Sequence, residues 1–160
     1  MSSMIKTAED LLNEKGTEII AVPPDTTIYE ALKIMVERGV GAMLVKREGK
    51  IVGIWTERDL MHNTIEPGFD PKSACIGEYM TTKLVSCPID TDIYALADRI
   101  LGLRLRHLLI EREGEYIGIL SLGDILRANL ATRLEQLEEM NRLMHLEYYD
   151  QWRWKKRHRK

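Results

Sequence analysis

The sequence predicts an α+β protein made of two β-α-β-β-α repeats related by pseudo-two-fold symmetry, followed by one long C-terminal helix. Three observations lead there. The string "GIWTERDL" at 53–60 returns as "GILSLGDI" at 118–125, 65 positions later. Sliding the chain on itself by 65 aligns 23–60 with 88–125 without a gap. Twelve of these 38 positions are identical, among them Pro23/Pro88, Asp25/Asp90, Arg47-Glu48-Gly49/Arg112-Glu113-Gly114 and Asp59/Asp124. Each copy also carries the same order of helix, apolar run, Gly-containing turn, apolar run and helix. Two copies with a period this long describe two similar subdomains packed together, not a solenoid array.

The elements follow in order. "KTAEDLLNEKG" (6–16) has apolar residues at helical spacing before a terminating glycine, and "TEIIAV" (17–22) is a short β-rich run. Asp25, Thr26 and Thr27 can cap a helix over 28–39, with Glu30 in its first turn and Gly39 as its stop. "VGAMLV" (40–45) and "KIVGIW" (50–55), joined across Glu48-Gly49, read as a hairpin. A helix starts near Thr56. "EPGFDPKSACIGEYM" (66–80) is a Pro/Gly-rich connection into a short helix. The second copy repeats the order: "KLVSC", a helix over 92–103, "RHLLIE", a turn, "YIGIL" and a helix from Ser121. The expected division is repeat 1 over 5–65, a linker over 66–75, repeat 2 over 76–130, and a C-terminal helix with a basic tail over 131–160. One copy has too little sheet and helix face to close a core, so the two pack on each other.

The last helix has no proline between Ser121 and Arg153. Leu126, Leu130, Leu134, Leu137, Met140, Met144 and Tyr148 form an apolar stripe at three- and four-residue spacing. Thirty residues of helix are about 45 Å long, more than a domain of this size covers. The stripe therefore meets another chain or stays exposed, unless part of it folds back over its own repeats and buries Leu130, Leu134 and Leu137.

Composition bounds the function. The chain of 160 residues is 44% hydrophobic and 30% charged, which is ordinary for a soluble globular protein. No apolar run approaches the ~20 residues that span a bilayer, and the polar N-terminus does not read as a secretion signal. A cytoplasmic location is expected. Cys75 and Cys87 suit a reducing compartment as small buried thiols, and no Cys/His cluster has zinc spacing, so no metal is expected. The net charge of −2 hides six Lys or Arg within 153–160.

The repeated string carries the chemistry. A purine riboside needs an apolar slot, a carboxylate to accept from the ribose hydroxyls, and donors for phosphate. In "GIWTERD", Gly53 admits close backbone approach, Ile54 lies on the strand, and Thr56 sits where a strand becomes a helix, an anion-binding place. Asp59 follows one turn along the same face. Ile119, Ser121 and Asp124 repeat the set. The same spacing is also an ordinary helix N-cap, and the duplication favours a ligand.

Together with the "PDTTIYEAL" helix start, the hairpins with a central glycine, "TERDL", "SLGDI" and "RHLLI", these residues resemble a tandem cystathionine-β-synthase (CBS) domain pair, or Bateman module, over roughly residues 5–130. The resemblance implies a small stand-alone, non-enzymatic regulatory protein. It would bind AMP, ADP, ATP or NAD, form a homodimer, and report ligand state to a regulated protein. It also implies that each cleft draws on both repeats. One cleft would use Thr17, Val40, Gly41 and Ala42 around the base, Ile119, Ser121 and Asp124 at ribose and phosphate, and Arg106 and His107 toward phosphate. The other would use Thr82, Leu105 and Arg106 or His107 near the base, with Ile54, Thr56, Arg58 and Asp59. The first is expected to bind more tightly, because Arg106 and His107 bring two cationic groups to it. His107 could instead be a packed core residue. Trp55 should point away from the cleft, and Glu57 should be solvated. Leu109 departs from the proline that many family members carry.

No nucleophile-base pair, GxGxxG string or Gly-Lys-Ser/Thr string is present, which argues against an enzyme or a Rossmann or Walker site. An alternative function rests on "QWRWKKRHRK", whose two Trp and six basic residues suit nucleic acid or an acidic partner. The simpler reading of that tail is charge that complements a helix C-terminus.

Overall fold

The computed structural model describes residues 5–143. It runs α1 (Ala8–Lys15), β1 (Ala21–Val22), α2 (Ile28–Arg38), β2 (Ala42–Arg47), β3 (Lys50–Thr56), α3 (Glu57–Thr64), α4 (Ile76–Tyr79), β4 (Ser86–Pro88), α5 (Ile93–Gly102), β5 (His107–Arg112), β6 (Glu115–Ser121) and α6 (Leu122–Leu143). The strands form two three-stranded sheets, β1-β2-β3 and β4-β5-β6. In each, the first pair is parallel and the second antiparallel. Both hairpins slip register at matching places, Val45/Lys46 and Ile110/Glu111.

Local chemistry sets these boundaries. The Thr27 hydroxyl accepts from the Glu30 amide while the Glu30 carboxylate accepts from the Thr27 amide, a reciprocal cap that starts α2. Gly39 ends it in a left-handed conformation. The two Glu-Gly pairs both have positive φ, 49° and 78° at Glu48-Gly49 and 52° and 83° at Glu113-Gly114. That is what a two-residue hairpin turn with the right twist requires, and it explains why Arg-Glu-Gly occurs twice. The runs "TEIIAV" and "KLVSC" shrink to two and three paired residues at one edge of each sheet.

The two repeats interlock through their short leading helices. α1 precedes the first repeat but packs on the second: Ala8 donates to the Thr91 carbonyl at 2.8 Å, and Ile93 donates to the Lys6 carbonyl at 3.0 Å. Leu11 and Leu12 then join Leu96, Ile100, Leu108, Ile110 and Leu120 in one core. α4 precedes the second repeat but closes the first, where Ile76 packs with Ile28, Met35, Met43 and Trp55. Trp55 is fully buried, and its indole N–H donates to Asn63 Oδ1 at 2.9 Å. Trp55 thus points away from the cleft, as its alternation with Ile54 and Thr56 predicts, and lies in the core. Cys87 is buried and Cys75 half-buried, and both are free thiols.

α6 lies along α5 by one face. Asn129 donates to the Ile93 carbonyl, Gln136 donates to the Tyr94 hydroxyl, and Arg133 stacks over the Tyr94 ring at 4.9 Å. The apolar stripe faces elsewhere: Leu130, Leu134, Leu137 and Met140 are each more than half exposed. It does not fold back over its own repeats, because Thr132, Asn129 and Gln136 occupy the inner face. Met144, Tyr148 and the basic tail at 153–160 lie outside the described residues. Among the described residues, no helix is long and apolar enough to cross a membrane.

Candidate ligand clefts

The sheet ends and helix N-termini of the two repeats enclose two cavities. Cleft 1 has a volume of about 840 Å³, within the ~300–1,000 Å³ of small-molecule sites. Val40, Gly41 and Ala42, where α2 gives way to β2, form one wall. Arg106, His107, Ile119, Ser121 and Asp124 form the other. Of the residues expected in this cleft, Thr17 does not line it, although its neighbours Gly16 and Glu18 do. Cleft 2 has a volume of about 170 Å³ and is lined by Ile54, Thr56, Arg58, Asp59, Leu105, Arg106 and His107, with Lys83 and Arg104. Thr82 does not line it, although Thr81 and Lys83 do. Arg106 and His107 thus border both cavities.

A backbone difference accompanies the unequal volumes. At the end of β3, Ile54 and Thr81 exchange two main-chain hydrogen bonds, at 2.8 and 3.0 Å. Leu84 and Val85, just beyond, line the smaller cavity. At the equivalent Ile119 the carbonyl accepts instead from a side chain, Lys15 Nζ at 3.2 Å. Gly16, with φ 102°, turns the chain there.

Both aspartates act on their own helix ends. Asp59 Oδ2 accepts from the Thr56 amide and hydroxyl, and the Thr56 hydroxyl accepts from the Asp59 amide. Asp124 accepts from the Ser121 amide and its own amide donates to the Ser121 hydroxyl. The N-cap geometry is therefore present at both places. Only Asp124 adds charge partners: Lys15 Nζ donates to Oδ2 at 2.6 Å and Arg127 Nη2 donates to Oδ1 at 3.0 Å. Burial works against ionisation of Asp124, but the Lys15 ammonium and the Ser121 donors outweigh it and hold the carboxyl below its ordinary value.

His107 stands in the dividing wall with its Nδ1 buried and unpartnered. Burial, then the Lys15 charge, pushes its pKa below the usual imidazole value, so it is neutral at pH 7. That corrects the expectation of His107 as a cationic group. Arg106 remains cationic and faces Glu57 across 3.7 Å. Glu57 is not merely solvated: it lines cleft 1, and its carboxylate lies 3.2 Å from where a Cβ on Gly41 would stand. Lys15, Glu57 and Arg127 were not anticipated as cleft residues. A shift of 65 places Met80 opposite Lys15 and His62 opposite Arg127, so neither cation is repeated in the other copy. Among the described residues, no group of His, Cys, Asp and Glu could hold a metal ion.

A doubled three-stranded unit with a cleft on each side of its internal axis defines a tandem CBS pair. The CBS domain family model matches twice, over residues 8–66 and 76–131, and the chain belongs to the CBS domain family. It is similar to the mitochondrial CBS domain-containing protein CBSX3 of Arabidopsis thaliana, 31% identical over 144 residues, 84% of this chain and 70% of that protein. It is also similar to the CBS domain-containing protein YhcV of Bacillus subtilis, 31% identical over 109 residues, 68% of this chain and 77% of that protein. Among solved structures, a CBS-domain-containing protein from Agrobacterium tumefaciens superposes with a TM-score of 0.75 at 32% identity, covering 81% of this chain and 97% of that one.

Proposed function

We propose that the protein is a non-catalytic regulatory module that binds an adenosine nucleotide (AMP, ADP, ATP or NAD) in cleft 1 and passes its ligand state to a partner protein. The observation that carries this is the composition of the 840 Å³ cavity. Small residues leave room for a flat base on one wall. On the other, a carboxylate at the start of α6 can accept from ribose hydroxyls, and the Arg106 guanidinium lines the same cavity for phosphate. A relative gives the reading a biological parallel: the gamma-3 subunit of human 5′-AMP-activated protein kinase is 27% identical over 135 residues, 79% of this chain and 28% of that protein. We further propose a homodimer, supported by the exposed leucines of α6, acting in the cytoplasm, with which two free thiols are compatible.

A thermal-shift series with AMP, ADP, ATP, NAD and S-adenosylmethionine tests it. A ligand at one hundred times its Kd stabilises the fold by ~2.7 kcal/mol, about 5–11 °C for a chain of this length. No shift with any adenosine compound would sink the proposal.

A further inference from the structure

Asp124 is the carboxylate expected to receive ribose, yet it is already occupied. A carboxylate offers about four acceptor positions over its two oxygens. Oδ2 takes Lys15 Nζ and the Ser121 amide, and Oδ1 takes Arg127 Nη2. A cis-diol donating two hydroxyls needs more room than the one position left, so a cation must leave. One carboxylate holding two cations also carries a surplus positive charge. Arg127 lies in an unfavourable place for a cation: its Nη1 is 3.2 Å from where a Cβ on Gly123 would stand, over the positive N-terminal end of α6. Its side chain is 76% exposed, against 40% for Lys15 and 17% for Asp124, so it is the freer of the two to move.

We propose that Lys15 and Arg127 form a cation latch that is exchanged when ligand binds. Ribose takes the acceptor positions that one cation vacates, Arg127 first, and the released guanidinium turns to the phosphate beside the α6 N-terminus. The inference rests on the reading of cleft 1 as an adenosine site and adds its specificity. Uncharged adenosine must break the ion pairs without return, and a cationic sulfonium nucleoside adds like charge, whereas a nucleotide supplies a new anion for the cations it displaces. Cleft 2 lacks the device, because Asp59 makes only its capping contacts and Met80 and His62 stand where Lys15 and Arg127 would be.

Titration calorimetry with adenosine, AMP and ATP, on the wild-type chain and on Lys15→Met/Arg127→Gln, tests the latch. The wild type should bind AMP about ten-fold or more tighter than adenosine, one charge-assisted hydrogen bond's worth of preference. In the double variant that ratio should fall clearly, to the preference Arg106 alone supplies, with adenosine binding more tightly than to wild type because no ion pair has to open. Arg127→Gln alone, at the exposed end, should move the ratio in the same direction and serves if the double variant misfolds. An unchanged ratio, or adenosine and AMP weakened together, overturns the latch and assigns the two cations a purely structural role. Equal binding of AMP and adenosine by the wild type overturns the latch while leaving the adenosine site standing. Binding of none of the three overturns both.

Discussion

Alanine at Gly118 and alanine at Gly53 are the same substitution at the same place in two copies of one fold, and they should not cost the same. Both glycines are buried on the central positions of their hairpins, and neither has a positive φ, so only the space around a new Cβ decides the outcome. At Gly118 that Cβ would stand 2.6 and 2.9 Å from the two methyls of Leu12, and at Gly53 it would stand 2.2 Å from the Met80 sulfur, 2.8 Å from its Cγ and 3.1 Å from its Cβ. Leu12 is 2% exposed and wedged among Leu96, Leu108 and Leu120, so it cannot swing away without lifting α1 off β6. Met80 is half-buried and unbranched, with three torsions through which to withdraw. Overpacking against a fixed neighbour costs about 1–3 kcal/mol, which at this chain length lowers Tm by about 2–12 °C. Gly53→Ala should cost less than Gly118→Ala despite its shorter contact, because rotation of the Met80 side chain removes its sulfur and Cγ and leaves only the 3.1 Å approach to its Cβ. Combining Gly118→Ala with Leu12→Ala should cost clearly less than the sum of the single changes, since both act on one contact. Thermal or urea unfolding of the four proteins decides it. Equal losses at the two glycines, or additive losses in the double variant, would refute the argument that α1 is locked into the second repeat.

Other expectations follow from the site and from α6. Because the folded pKa of His107 lies below 6.5, the unfolded chain binds a proton that the folded chain resists. Stability should therefore fall as pH drops from about 7 through 6.5 and below. Lys15 and Arg106 reinforce this resistance, while Glu57 and Asp124 oppose it. His107→Gln should flatten that slope in urea midpoints taken at pH 7 and 5.5, and parallel slopes would contradict the assignment. Asp124, held low, should give up its contribution only below about pH 3.8, so its loss falls in a separate window. Leu134→Glu/Leu137→Glu places charge on the exposed stripe of α6 and should shift sedimentation from dimer to monomer. An unchanged mass with a much lower Tm would mean that the stripe serves its own chain.

Several of these features were legible in the sequence, and particular residues explain why. Arg-Glu-Gly marked both hairpins because a positive-φ pair closes them, and strict alternation along a strand turned Trp55 away from the cleft. Thr27, Glu30 and Gly39 wrote both ends of α2 in local chemistry. The crossing of α1 to the second sheet left no such mark, since periodicity tells which helix face is apolar but not which sheet receives it. For the same reason Lys15 was missed: its partner Asp124 lies 109 positions away, and nothing in its neighbours points there. Thr17 and Thr82 missed the cavity linings by one residue, the error expected in extended segments, where adjacent side chains face opposite ways. His107 was assigned a charge because residue type gives an ordinary pKa, whereas burial in the wall between the clefts removes it.

The central claim is that cleft 1, not cleft 2, is the nucleotide site and that Asp124 is its anchor. Calorimetric titration of AMP into Asp124→Asn and Asp59→Asn tests this most directly, because each change removes one charge and leaves the side-chain shape. Loss of charge-assisted hydrogen bonds at about 1.5–3 kcal/mol predicts an affinity lower by about 10–150-fold in Asp124→Asn, with Asp59→Asn close to wild type. Affinity that falls with Asp59→Asn and survives Asp124→Asn would contradict the account.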